Sequence, residues 1–101
     1  MTQEHLLKIP EHLVPLLRNL HPLIKADIKN ALRLLTQNPY GGKALKEELD
    51  GLRSYRVKKY RIIYRIPITP PKILEIIAIG PRKNIYEETF KIISRESNTG
   101  N

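Results

Sequence analysis

Three arginines and one tyrosine in this sequence have the types and spacing to handle a phosphate group. Arg56 and Arg61 lie in a run that alternates basic with apolar residues, and Arg82 and Tyr86 follow later in the chain. A guanidinium group binds phosphate through paired hydrogen bonds and stabilises charge that grows on a transferring phosphoryl group. A nearby tyrosine hydroxyl can hold or move a proton. This set therefore predicts a site for a phosphate-bearing ligand.

Residues 54–66 would bring the first two arginines together. The run is rich in β-branched and aromatic residues with period 2, which predicts two strands. Lys58-Lys59 is its least apolar point, and a two-residue turn there pairs Arg56 with Arg61. Like charges directly opposite destabilise a sheet, which is consistent with an anion held between them; basic residues on a solvated strand face are the open alternative. The core face of this hairpin would carry Tyr55, Val57, Tyr60 and Ile62.

The stretch after this hairpin would position the other two residues. Residues 73–79 form a nearly continuous apolar run, which predicts a strand covered on both faces, and Gly80-Pro81 ends it. If this strand pairs with residues 60–66, Arg82 can approach the other arginines, and Tyr86 follows at the start of a helix. An ion pair of Arg82 with Glu87 or Glu88, and a core role for Tyr86, are the alternatives.

The remaining elements predict a helical hairpin packed on a sheet. Residues 5–9 can form a short strand. A helix starts at Pro10-Glu11, and because of Pro15 it would be short, kinked or begin only near residue 15. A second helix covers residues 22–37, with apolar residues on one side. Residues 43–49 would add a helical turn. A last helix runs from Asn84, as its cap, to about Ser94. Its inward residues would be Ile85, Phe90 and Ile93.

Composition limits the class of protein and partner. With 101 residues we expect one domain over residues 1–95 and a flexible tail over residues 96–101. Lys and Arg number 18 against 10 Asp and Glu, giving a net charge of +8. This charge favours a polyanionic partner, nucleic acid first; an acidic protein or an anionic membrane surface would also fit.

The absence of cysteine suits a reducing cytoplasm. No signal peptide or membrane-spanning run is visible. His5, His12 and His21 lack metal-ligand spacing, so we expect no metal and no cofactor.

Two separated motifs resemble the RelE/ParE superfamily of toxins. The first covers residues 49–64 and includes the Tyr-Arg-Ile-Ile-Tyr strand; the second, residues 79–86, contains Gly-x-Arg-x-x-x-Tyr. The resemblance implies an α+β fold: a small, mainly antiparallel sheet, an N-terminal α-hairpin on one face and a short C-terminal helix. It also implies a toxin neutralised by a cognate antitoxin protein, in a hetero-oligomer. RelE-like members cleave mRNA without metal, often in the decoding site of the 30S ribosomal subunit.

The resemblance also assigns roles to residues. Arg61 and Arg82 would steady the phosphate, Tyr86 would orient or deprotonate the attacking 2′-hydroxyl, and Arg56 matches a basic residue on the preceding strand. Ser54 departs from the family pattern, because some active members carry a second basic residue there. We expect RNA contacts from Arg53, Lys58, Lys59 and Lys83.

The leading hypothesis is thus a metal-independent ribonuclease toxin of the cytoplasm. Two alternatives stay open: a ParE-like toxin that inhibits DNA gyrase, and a degenerate member that only binds its antitoxin or RNA. Together, Arg61, Arg82 and Tyr86 favour the nuclease.

Overall fold

In the described part of the chain, five strands form one sheet. The computed structural model describes residues 6–68 and 70–99. Its strands are β1 (Leu6–Lys8), β2 (Lys43–Ala44), β3 (Leu52–Val57), β4 (Tyr60–Arg65) and β5 (Ile73–Pro81). They lie in the order β1-β5-β4-β3-β2, with β1 parallel to β5 and the other neighbours antiparallel. The predicted α+β fold with a mainly antiparallel sheet is confirmed.

The β3–β4 hairpin has the predicted register. Arg56 lies opposite Arg61, and Val57 opposite Tyr60. Lys58 has a φ of 55° in the two-residue turn, a conformation that bulky side chains rarely adopt. Ile62 is fully buried, but Tyr55, Val57 and Tyr60 are only partly buried, so their predicted burial was wrong in degree. A cleft of about 200 Å³ lies between Ile24 and the turn end of the hairpin, which leaves Val57 and Tyr60 partly exposed.

Two helices cover one face of the sheet. A 3₁₀ turn (Glu11–Leu13) leads into α1 (Val14–Arg18), where Pro15 lies in the first turn, the part of a helix that tolerates proline. The next helix, α2 (Pro22–Gln37), has the predicted bounds. The buried core on this face contains Leu13, Ile28, Ala31, Leu32, Leu35, Ile62, Tyr64, Leu74, Ile76 and Ile79.

One long helix, α3 (Arg82–Thr99), covers the opposite face. It begins at Arg82, before the predicted cap at Asn84, and continues beyond Ser94. The first amide of the helix, that of Arg82, donates to the Lys59 carbonyl at 3.0 Å and so has a partner without a cap at Asn84. Phe90 does not pack inward as predicted and is 46% exposed. Its neighbour Thr89 is fully buried, and the next residue of a helix points about 100° away. The buried core here contains Leu52, Ile63, Ile77, Ala78 and Ile85.

The connection from α2 to β3 differs from the predicted helical turn. Pro39–Gly41 forms a 3₁₀ turn, residues 43–44 form β2, and within residues 43–49 helical structure is limited to a 3₁₀ turn at Glu47–Leu49. The Tyr64 hydroxyl holds this connection on the sheet: it donates to the Pro39 carbonyl at 2.6 Å and accepts from the Gly42 amide at 2.9 Å. A Cβ at Gly42 would lie 2.5 Å from that hydroxyl, so only glycine fits. The strand pairing and this contact together prevent a helix over residues 43–46.

Candidate functional site

The pairing of β3, β4 and β5 brings the predicted arginines to one end of the sheet. Arg56, Arg61 and Gly80 are cross-strand partners in one row, on the face that α3 covers. The Arg56 Nε atom donates to the Lys58 carbonyl at 3.2 Å, and an Arg61 Nη atom donates to the Tyr60 carbonyl at 3.2 Å. Within the described part of the chain, neither guanidinium forms an ion pair. Two cationic groups therefore share a small area without a protein anion between them.

Arg82 joins this pair through the start of α3. It follows β5 directly, and its amide bonds to the Lys59 carbonyl, so the first residue of α3 is tied to the hairpin turn. Its side chain is exposed and forms no ion pair with a described residue; the alternative pairing with Glu87 or Glu88 is absent from residues 6–68 and 70–99. The structure thus gathers Arg56, Arg61 and Arg82 around one hairpin turn.

Tyr86 lies one turn further along α3, above the sheet. It is half-buried, and its hydroxyl is 3.3 Å from the hydroxyl of Ser54 on β3. Gly80 allows this approach, because a Cβ there would lie 3.2 Å from Cδ1 of Ile85, tighter than usual contact. The helix can therefore lie close enough to the sheet for the two hydroxyls to meet. Sequence reasoning treated Ser54 only as a departure from a basic residue.

The predicted RNA-contacting residues divide into two groups. Lys59 and Lys83 are exposed beside the arginines, and Lys58 is in the turn, where its Nζ forms a 2.7 Å ion pair with Asp27 of α2. Arg53 is elsewhere: it donates to the Gly42 carbonyl through Nε and Nη2, at 3.0 and 2.7 Å, and is on the opposite face of β3 from Arg56. Period-2 alternation already separates these two positions. Arg53 therefore does not join the candidate site.

The histidines and acidic residues are spread over the described chain. Among residues 6–68 and 70–99, no three His, Cys, Asp or Glu residues could hold a metal ion together. His21 caps α2, with its Nδ1 accepting from the Leu23 amide at 3.2 Å. His5 lies outside the described residues. In the same part of the chain, no helix is long and apolar enough to cross a membrane.

The site offers bidentate donors for a phosphate and a phenol beside them, on a small sheet between an α-hairpin and a C-terminal helix. This fold is the small α+β arrangement of sheet, α-hairpin and C-terminal helix that the resemblance to RelE/ParE toxins implies. A family model described as "ParE toxin of type II toxin-antitoxin system, parDE" matches residues 2–86, and the chain belongs to this family. Comparison with curated proteins finds no significant match.

Solved structures show the same architecture. The toxin–antitoxin complex RelBE2 from Mycobacterium tuberculosis contains a chain that is 28% identical, with a TM-score of 0.69 over 78% of this chain and 99% of that one. A free mutant of toxin RelE from E. coli is 18% identical, with a TM-score of 0.71 over 91% and 97%. A YoeB/ParE toxin from Agrobacterium tumefaciens is 19% identical, with a TM-score of 0.66 over 76% and 98%. The last two support the fold alone.

Proposed function

We propose that this toxin is a metal-independent endoribonuclease that cleaves mRNA, with the ribosomal decoding site as the place of cleavage. The observation that carries the proposal is the convergence of Arg56, Arg61 and Arg82 with Tyr86 at one end of the sheet, where no carboxylate of the described residues pairs with the arginines. Such donors stabilise the charge that develops on a phosphate during transfer.

The reaction needs only groups of the RNA and of this site. The 2′-hydroxyl attacks the adjacent phosphorus and loses its proton; the bond to the 5′-oxygen breaks, and that oxygen gains a proton. The products are a 2′,3′-cyclic phosphate and a 5′-hydroxyl. In this scheme Arg61 and Arg82 hold the non-bridging oxygens, Arg56 adds positive charge, and Tyr86 orients or deprotonates the 2′-hydroxyl.

The partner of the toxin would be an antitoxin with an acidic segment. Two structural relatives are described as toxin–antitoxin complexes, RelBE2 and an archaeal RelE–RelB complex from Pyrococcus horikoshii. A net charge of +8 and the unpaired arginines favour a segment rich in Asp and Glu over the site. We expect copurification of the two proteins, with site arginines protected when the antitoxin is bound.

One observation favours a second function. The matched family model is described as a ParE toxin, and a ParE-like protein would inhibit DNA gyrase by binding rather than by cleavage. Brief induction in cells separates the two: new 5′-ends within coding regions of mRNA support the nuclease, and gyrase-dependent DNA breaks without new mRNA ends support the gyrase inhibitor.

The direct test is single-turnover cleavage of mRNA on programmed ribosomes. Arg61→Ala and Arg82→Ala are each expected to lower the rate constant by ~10²–10³, because each removes a donor to the transition state. Neither should reduce stability, since Arg82 is exposed and loss of Arg61 relieves its repulsion with Arg56. Arg18→Ala, an exposed position on α1, removes the same charge and should retain activity. Circular dichroism checks the fold of each variant.

A modified substrate tests the nucleophile. An mRNA with 2′-deoxyribose at the scissile nucleotide should not be cleaved, while the unmodified message should yield a 2′,3′-cyclic phosphate end. Cleavage of the deoxy substrate, or full activity of the Arg61/Arg82 double variant, would overturn the mechanism.

A further inference from the structure

Ser54 is a buried polar residue, and its side-chain hydroxyl contacts Tyr86 of the candidate site. Among the described residues, Ser54 (7% exposed) and Thr89 (fully buried) are the buried polar or charged side chains. Thr89 donates to the carbonyl of Ile85 in its own helix, at 2.7 Å. The hydroxyl of Ser54 instead lies 3.3 Å from the hydroxyl of Tyr86, and the two residues are on different elements. Because a buried hydroxyl without a partner is costly, this contact has a role in the packing of α3 on the sheet.

Both members of the pair are held by rigid structure. Ser54 is in β3 between Leu52 and Arg56 on the same face, and its cross-strand partner Ile63 is fully buried. On α3, the fully buried Ile85 precedes Tyr86. The distance between the two hydroxyls is therefore set by the sheet and the helix rather than by a loop, and the phenol has little freedom to turn away.

We propose that Ser54 is a positioning residue that holds the hydroxyl of Tyr86 in the orientation needed for RNA cleavage. This inference rests on the proposed ribonuclease function. With Tyr86 donating to Ser54, a lone pair of the phenol oxygen is left to accept a hydrogen bond from the 2′-hydroxyl. With Ser54 donating, the phenol proton is left for an oxygen of the RNA. In either direction the hydrogen bond to the serine orients the hydroxyl of Tyr86 and adds no charge.

The absence of charge separates Ser54 from the other residues of the site. Arg56, Arg61 and Arg82 attract the phosphate, so their loss weakens RNA binding as well as the chemical step. Loss of the Ser54 hydroxyl should change the chemical step alone. Some relatives carry a basic residue at position 54. Here the residue is a serine that positions the hydroxyl of Tyr86 instead of binding the phosphate.

A double-mutant cycle tests the proposal in the single-turnover ribosome assay. Ser54→Ala should lower the rate constant about 3- to 10-fold, the equivalent of one neutral hydrogen bond, at an unchanged half-saturating toxin concentration. In the Tyr86→Phe background the same change should have no further effect, because the hydroxyl that Ser54 positions is gone. Thr89→Val is the matched control, because it removes the other buried hydroxyl, on the inner side of α3. It should lower the rate constant by the same small factor with and without the Tyr86 hydroxyl.

The outcomes separate this role from the proposed function. If the wild type cleaves and Ser54→Ala either keeps the wild-type rate or loses the same factor with and without the Tyr86 hydroxyl, the positioning role is wrong and the nuclease stands. If the wild type does not cleave, both fall. Urea unfolding of each variant shows whether the folded fraction in the assay is the same.

Discussion

The hydroxyl of Tyr64 joins the sheet to the connection between α2 and β2. It is buried, bonds the backbone of Pro39 and Gly42, and has Arg53 nearby. Burial is the largest influence and raises the pKa of Tyr64; the Gly42 amide and the Arg53 guanidinium oppose this rise. The phenol therefore keeps its proton in the folded protein at a pH where the unfolded chain has begun to release it.

Stability should consequently fall at alkaline pH through this residue. A tyrosine in the unfolded chain titrates near 10. Above that pH the unfolded state binds fewer protons than the native state, so the free energy of unfolding decreases as pH rises. Tyr64→Phe should lower the free energy of unfolding by about 1–3 kcal/mol at pH 8, because the backbone groups of Pro39 and Gly42 lose their partner. Between pH 9 and 11, the free energy of unfolding of this variant should decrease less than that of the wild type.

Urea unfolding at each pH measures this difference. Tyr60→Phe is the control, since Tyr60 is only partly buried and its hydroxyl forms no hydrogen bond among the described residues. An alkaline loss of stability that is the same in the Tyr64→Phe variant and the wild type would show that Tyr64 does not cause it.

At the scale of elements, alternation predicted the two strands of the hairpin, and the two-residue turn at Lys58-Lys59 predicted their register. The same alternation places Ser54 with Arg56 and separates Arg53 from them, so a strict reading of parity would have removed Arg53 from the site. The α2 helix was predictable because its apolar side continues from end to end.

Other elements depend on contacts that no local pattern contains. The two residues of β2 have no strand signal, and pairing with Arg53 and Ser54 makes them a strand. Ile85 and Thr89 are fully buried and set the rotation of α3 about its axis. Local spacing had instead predicted Phe90 as an inward residue. The contact of Tyr86 with Ser54 joins residues far apart in the chain, and only the packed helix reveals it.

The hairpin turn is the element on which the site arginines converge. Its Lys58 carbonyl accepts from Arg56, its Lys59 carbonyl accepts from the first residue of α3, and the Lys58 ammonium pairs with Asp27 on α2. The ion pair is largely exposed, with the Lys58 side chain 74% accessible, so its contribution to stability is small. Its effect should instead be on the position of the turn.

Asp27→Asn should therefore reduce RNA cleavage about 2- to 5-fold with little change in thermal stability, because the turn is released from α2. Asp27→Glu keeps the carboxylate and leaves Lys58, a predicted RNA contact, unchanged, so it should retain most of the rate. Asp50→Asn, an exposed carboxyl without an ion pair in the described chain, is the control. A wild-type rate in Asp27→Asn, or the same loss of rate in Asp27→Glu, would exclude this role of the turn.

At the scale of the whole molecule, the charges divide between the two ends of the sheet. At the end away from the turn, Arg65 pairs with Glu75 and Glu96, and Lys8 also approaches Glu75. At the turn end the cations outnumber the acids that pair with them. The exposed or partly exposed cations there are Arg56, Lys58, Lys59, Arg61, Arg82 and Lys83, and Asp27 pairs with one of them. A polyanion should therefore approach the turn end, although the net charge is spread over the whole sequence.

This asymmetry predicts how RNA binding depends on salt. Each phosphate neutralised by a lysine releases counterions, and the slope of log K against log salt changes by about 0.7 per contact for single strands. Lys59→Gln/Lys83→Gln should lower the magnitude of the slope by about 1.4, measured by fluorescence anisotropy of a short single-stranded RNA. Lys29→Gln/Arg33→Gln removes the same charge from the exposed side of α2 and should leave the slope unchanged. Equal changes in the two double variants would mean that net charge, rather than the cluster at the turn, governs binding.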